Sequence, residues 1–139
     1  MTSPRVMELL DKLMDSLVGQ NSGEAFLRCL EEEECTKEEF EEVAQIRDEE
    51  GDLLLHTACS QLDFSTIERE ATSIDVLHRL IGVNNKVLYV RNWSRGYLPI
   101  HLAVLNDKIK AVEVLLNADK TKSSLMIQDE SDNTVAYCI

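Results

Sequence analysis

The sequence predicts an all-α protein, a solenoid of stacked helix–turn–helix units. Two segments carry Gly, an apolar residue, His and Ala at identical offsets, and an apolar–x–x–Leu–apolar step follows each of them. Such internal repetition is the signature of folds in which like units stack on one another. Apolar side chains also recur at helical spacing along most of the chain. The two segments are 51–58 and 96–103, and the two later steps are 77–81 and 112–116.

Three helices are predicted before the first of these segments. The opening helix has apolar side chains at i, i+3, i+4 and i+7, with Ser3 as its N-cap and Gly19 at its end. The pair Thr36 and Glu39 forms a capping box, which marks the start of the third helix. The predicted helices cover 4–18, about 23–34 and about 37–46.

Four further helices belong to the two similar segments. Ala58 and Leu77 are 19 residues apart, whereas the equivalent Ala103 and Val112 are 9 apart. About ten extra residues therefore lie within the first of these units, at 61–70. We expect this insertion to be a solvent-exposed excursion that can be shortened without unfolding the protein. The four predicted helices cover 54–61, 73–82, 99–106 and 109–118.

The length of 139 residues and an apolar content of 44% suit one folded domain. We divide it into a capping helix (1–20), a degenerate first repeat (21–50), a repeat with an inter-helix insertion (51–95), a second repeat (96–131) and a partial repeat (132–139).

The two similar segments resemble the G-x-T-P-L-H-x-A line of ankyrin repeats, clearly over about 51–139 and weakly over 22–50. The position of the family's Thr is occupied by Leu53 and Leu98, and only Thr134 retains the hydroxyl. The resemblance implies an ankyrin-like solenoid with short β-hairpin turns between the helix pairs. It also implies a protein–protein interaction module that binds through its hairpin tips and the concave face of its first helices.

Carried over position by position, the resemblance predicts which residues contact a partner. A second argument adds the segment 91–97, because Trp, Tyr and Arg are enriched at binding hot spots. The alternative for this segment is that Trp93 and Tyr97 pack along the stacked turns. The predicted partner-binding residues are Glu49, Glu50, Asp52, Ser60, Gln61, Arg91, Trp93, Ser94, Arg95, Tyr97, Leu105, Asn106, Glu130, Ser131 and Asn133.

Two clusters suggest chemistry, and both have a structural alternative that we prefer. His56 and Cys59 share a helical face, but a zinc site takes three or four protein ligands, so we expect a structural histidine. The acidic run 31–34, with its continuation to Glu42, lacks the loop spacing of calcium sites and is predicted to be a solvated helix face. We find no nucleophile–base pair and expect no enzyme activity, no metal and no cofactor.

The charge distribution narrows the class of partner. The net charge is −12, and residues 1–50 hold fifteen acidic against five basic side chains. Because such a surface repels phosphate groups, nucleic acid is not an expected partner. The chain has no apolar run long enough for a membrane span. Its four cysteines form no C-x-x-C pair, which suits reduced thiols in the cytoplasm or nucleus.

The sequence thus predicts a monomer that binds another protein. Two alternatives remain open. The first alternative to this interpretation is a short ankyrin-like decoy that inhibits a regulatory protein, and the second is the repeat fragment of a larger multidomain protein.

Overall fold

The computed structural model describes residues 3–119, and within them the protein is all-helical, as predicted. Seven α-helices and one 3₁₀ helix follow one another in this part of the chain. They are α1 (Pro4–Ser16), α2 (Ser22–Glu32), α3 (Lys37–Val43), α4 (Leu54–Gln61), α5 (Ile67–Val83), the 3₁₀ helix (Asn85–Tyr89), α6 (Pro99–Leu105) and α7 (Ile109–Ala118). The predicted partial repeat at 132–139 lies outside the described residues.

The helices pack in pairs, and successive pairs lie on one another. Helix α4 packs against α5 and α6 against α7. Between the pairs, α4 contacts α6 and α5 contacts α7, so first helices meet first helices and second helices meet second helices. Ala58 and Ala103 are fully buried on the first helices, where a small side chain allows close approach. The apolar positions shared by the two similar segments thus form one continuous core.

The predicted first repeat, residues 21–50, would pair α2 with α3. The structure instead pairs α1 with α2. Helix α1 packs against α2, α3 and α4, and α2 packs against α5. Helices α1 and α2 therefore occupy the positions of a first and a second helix. A Cβ at Gly23 would lie 2.8 Å from the Ser73 backbone nitrogen, so glycine permits the close contact of α2 with α5. Helix α3 buries only Val43 and lies against α1 instead.

Local capping explains where these helices begin. Ser3 Oγ accepts a hydrogen bond from the Val6 N–H at 3.2 Å, which confirms the predicted N-cap of α1. Thr36 Oγ1 accepts from the Glu39 N–H, and Glu39 Oε1 accepts from the Thr36 N–H, both at 3.1 Å. This reciprocal pair is the predicted capping box of α3.

The predicted β-hairpins are not formed as strands within residues 3–119. We call residues 47–53 the first turn and residues 90–98 the second turn. The first turn is closed by a hydrogen bond from the Asp48 N–H to the Asp52 carbonyl at 2.9 Å. The second is closed by one from the Asn92 N–H to the Tyr97 carbonyl at 2.9 Å. The first turn has one further backbone bond, from the Gly51 N–H to the Asp48 carbonyl at 3.1 Å, and in neither turn do the bonds extend into a ladder between strands.

The segment 61–70 is only partly the exposed excursion that was predicted, and its tolerance to shortening stays a prediction. Leu62 is completely buried, and Phe64 packs against the core. The later residues of the segment are the start of α5, which begins at Ile67 after its N-cap Thr66. The extra length thus lengthens a helix and fills the core.

Asp63 within this segment anchors the start of α2. Its Oδ2 accepts hydrogen bonds from the Asn21 N–H at 2.9 Å and from Arg69 at 3.1 Å. Its Oδ1 accepts from the Ser65 N–H and hydroxyl. These donors, the Ser65 hydroxyl first, hold the pKa of the carboxyl group well below its ordinary value.

We expect Asp63→Ala to lower the free energy of unfolding by about 2 kcal/mol, because it removes hydrogen bonds to a charged, largely shielded acceptor. The matched control is Asp75→Ala, which removes an exposed carboxylate paired only with Arg79 on the same helix. That change should cost about 0.5 kcal/mol or less. Urea denaturation of both variants measures the difference, and equal losses would contradict the anchoring role of Asp63.

Candidate partner-binding surface

The two turns end with the same backbone conformation. Gly51 has φ +83° and Gly96 has φ +69°, conformations that side chains other than glycine rarely adopt. Two residues after each glycine lies a leucine. The N–H of that leucine donates a hydrogen bond to the histidine three residues further along the chain. Leu53 donates to His56 Nδ1 at 3.0 Å, and the equivalent bond from Leu98 to His101 is 2.9 Å. The histidine therefore caps each first helix, although the hydroxyl cap is replaced by leucine.

His56 also joins its own unit to the next one. Its Nδ1 accepts a hydrogen bond from the Leu53 N–H, so Nε2 carries the hydrogen of the neutral ring. This Nε2 lies 2.9 Å from the Val90 carbonyl and 3.1 Å from the Tyr97 carbonyl, both in the second turn. Burial lowers the pKa of His56 to about 4, and the two carbonyls oppose that shift. Both ring nitrogens are used in hydrogen bonds, as a structural histidine requires.

Arg47 and Trp93 form a second connection between the turns. Arg47 Nη1 donates to the Gly51 carbonyl at 2.7 Å and to the Arg91 carbonyl at 2.6 Å. The guanidinium carbon lies 5.5 Å from the centre of the Trp93 ring, in cation–π geometry. A Cβ on Gly51 would overlap that ring. We call this arrangement, together with the bonds of His56, the turn joint.

The structure places most of the predicted contact residues at the surface. Trp93 is 63% exposed although its ring packs on Gly51, so both interpretations of this residue hold in part. Leu105, two residues after the buried Ala103 of α6, is 51% exposed. The exposed members are Glu49, Glu50, Gln61, Arg91, Trp93, Ser94, Arg95, Leu105 and Asn106.

Three predicted contact residues are partly buried and serve the fold. Tyr97 has its ring centre 5.9 Å from that of His101, and its N–H donates to Asn92 Oδ1 at 2.9 Å. The Ser60 hydroxyl donates to the Thr57 carbonyl within α4. Asp52 is half-buried. The remaining predicted contacts, Glu130, Ser131 and Asn133, lie outside the described residues.

Sequence reasoning missed Asn92 and Arg47. Asn92 is 6% exposed, and its side chain accepts bonds from within the second turn, so it shapes the loop that carries Trp93. An asparagine shortly before a glycine is a known turn signal. The role of Arg47 had no local signal, because its acceptor at Arg91 is 44 residues away along the chain.

The acidic run of α2 and α3 is only partly the solvated face that was predicted. Glu33 and Glu39 are partly buried and bind the cations of α1. Arg5 Nε lies 3.1 Å from Glu39 and Lys12 Nζ lies 2.8 Å from Glu33. The pKa of Glu33 is lowered, chiefly by the hydrogen bond from Lys12, and that of Glu39 chiefly by the Thr36 N–H. The two carboxylates thus tie α2 and α3 to α1.

The three cysteines within residues 3–119 are free thiols. Cys59 on α4 is completely buried, and burial raises its pKa far above the ordinary value. Burial likewise raises the pKa of Cys29 and of Cys35, with nearby glutamates adding to the effect. Raised pKa values keep these sulfurs protonated and weakly nucleophilic at neutral pH.

No family model matches the chain, and no curated protein sequence matches it. The resemblance to ankyrin repeats therefore stays a prediction from the repeated segments 51–58 and 96–103. Within the described residues, none of the helices has the length and apolar character needed to cross a membrane.

We expect stability to fall as the pH drops from about 6.5 to about 4. In this window His56 takes up a proton in the unfolded chain, while the folded chain holds it neutral. The folded state therefore loses up to about 1.4 kcal/mol for each pH unit. Urea denaturation at pH 7 and pH 5 measures the slope. His56→Gln should reduce the slope, whereas the same change at the exposed His78 should leave it unchanged. Equal slopes in the wild type and both variants would contradict the attribution of this pH dependence to His56.

Proposed function

We propose that this protein is a protein–protein interaction module that binds its partner over the exposed residues of the two turns. We call these residues the turn surface: Glu49, Glu50, Arg91, Trp93, Ser94 and Arg95. The observation that carries the proposal is a large aromatic side chain that is both exposed and fixed in place.

Trp93 combines exposure with restricted motion. An indole that is 63% exposed offers a large apolar area to a partner. The Trp93 ring contacts both Gly51 and the Arg47 guanidinium. These two contacts restrict the motion of the ring before any partner binds. Binding then costs less side-chain entropy than it would for a freely rotating residue. Preorganised Trp side chains are typical centres of binding energy in interfaces.

The residues around Trp93 suit the rim of an interface. Arg91 and Arg95 supply positive charge beside it, whereas Glu49 and Glu50 on the first turn supply negative charge. Mixed charges at a rim select partners through complementarity more than they add affinity. The exposed Leu105 at the end of α6 extends the surface along the first helices.

We also propose that the fold is an ankyrin-like solenoid. Two units share the positive-φ glycine, the histidine cap and the buried alanine in the same order. Their first helices contact each other, as do their second helices. An ankyrin-like stack presents its turns side by side, which agrees with the turn joint.

Affinity capture from a source lysate, followed by mass spectrometry, tests the function. Trp93→Ala, and the triple variant in which Arg91, Trp93 and Arg95 become alanine, should lose most of the captured partner. Trp93→Phe should retain part of it, because a ring can still pack on Gly51. Ile67→Ala, at an 82% exposed apolar position at the start of α5, is the matched control and should capture normally.

Circular dichroism must show that the variants keep their helical content. A folded Trp93→Ala protein that captures the same partners as the wild type would contradict the proposal.

A further inference from the structure

A groove of about 560 Å³ lies between α1 and the first turn. Six of its nine lining residues carry a carboxylate, and none of the nine is a lysine or an arginine. We call it the acidic groove. It is lined by Asp11, Met14, Asp15, Val18, Asp48, Glu49, Glu50, Asp52 and Thr57.

The basic side chains nearest in sequence to the acidic groove bind groups outside it. Arg5 and Lys12 of α1 pair with Glu33 and Glu39, and Lys12 also pairs with Glu8. Arg47 donates to backbone carbonyls of the two turns. Among the ion pairs of residues 3–119, none involves a carboxylate of the acidic groove. The groove thus keeps its negative charge, although the acidic half of the chain contains bases.

One of the lining carboxylates, that of Asp52, is partly buried. Its Oδ1 is shielded from solvent and has no hydrogen-bond partner among residues 3–119. Burial raises the pKa of Asp52, and a side-chain hydrogen bond with Asn92 opposes that shift. A shielded acceptor without a donor costs stability.

The groove also exposes apolar surface. Val18, just after the end of α1, is 63% exposed, and Met14 on α1, which lines the same groove, is partly buried. An apolar strip flanked by carboxylates matches a peptide that alternates apolar and positively charged side chains. It does not match a nucleic acid or an anionic membrane, whose phosphates the carboxylates repel.

We propose that the acidic groove binds a lysine- or arginine-containing segment of the partner protein, with an apolar side chain of that segment over Met14 and Val18. This inference rests on the proposed function and names the chemistry of the partner. The groove adjoins the turn surface, because Glu49 and Glu50 belong to both and Gly51 lies against Trp93. One partner segment can therefore contact Trp93 and continue into the groove.

Fluorescence anisotropy of the full chain with a labelled peptide of alternating lysine and leucine tests the proposal. The counterpart peptide, with glutamate in place of lysine, is the negative probe. A groove variant neutralises four lining carboxylates by Asp11→Asn, Asp15→Asn, Glu49→Gln and Glu50→Gln. A matched variant removes the same charge at exposed positions of α2, α3 and their connections by Glu32→Gln, Glu34→Gln, Glu38→Gln and Glu42→Gln.

We expect saturable binding of the lysine peptide that the groove variant weakens about tenfold, a loss of about 1.4 kcal/mol. The matched variant should change the affinity by less than about twofold. Val18→Ser should weaken binding as well, because it removes the apolar contact.

Three outcomes would overturn the proposal. They are no saturable binding, equal weakening by the two charge variants, and equal affinity for the glutamate peptide. None of them affects partner capture through Trp93, so the proposed function can survive the loss of this inference. Conversely, normal capture by Trp93→Ala together with groove-dependent binding of the lysine peptide would contradict only the role of the turn surface.

Discussion

The turn joint is the constraint on which the rest of the structure depends. The second turn has no ladder of its own, and side chains of the preceding unit hold its Val90, Arg91 and Tyr97 carbonyls instead. His56 provides two of these contacts while it caps α4, so one neutral imidazole sets both the start of a helix and its distance to the next unit. The orientation of Trp93 follows, because its ring is fixed between Gly51 and Arg47.

The partners of the basic side chains determine where the protein surface is negatively charged. The few cations of the acidic half are used inside the fold: Arg5 and Lys12 bind glutamates of the outer helices, and Arg47 binds carbonyls. The carboxylates of the acidic groove form none of the ion pairs found within residues 3–119. The net charge of −12 is thus not spread evenly, and the side that carries the turns is also the side with the acidic groove.

Local patterns predicted local structure well. The predicted bounds of α4, 54–61, agree with the structure because glycine, histidine cap and apolar spacing all lie within that segment. The packing of α2 on α5 could not be predicted in this way, since it depends on the contact of Gly23 with the distant Ser73. The exposure of the 61–70 segment was predicted only in part. Sequence spacing identifies extra residues but does not show whether one of them, such as Leu62, is buried. In the candidate site, exposure of Trp93 was predictable, whereas its support by Arg47 was not.

A double-mutant cycle between Gly51→Ala and Trp93→Ala tests the turn joint most directly. In the wild type, alanine at position 51 meets both backbone strain and the Trp93 ring, whereas in the Trp93→Ala background only the strain remains. Gly19→Ala is the control, because Gly19 has φ +114° and no atom near its missing Cβ. We predict that Gly51→Ala costs at least about 1 kcal/mol less in the Trp93→Ala background, while Gly19→Ala costs the same in both. Additive effects of Gly51→Ala and Trp93→Ala on the free energy of unfolding would contradict the joint.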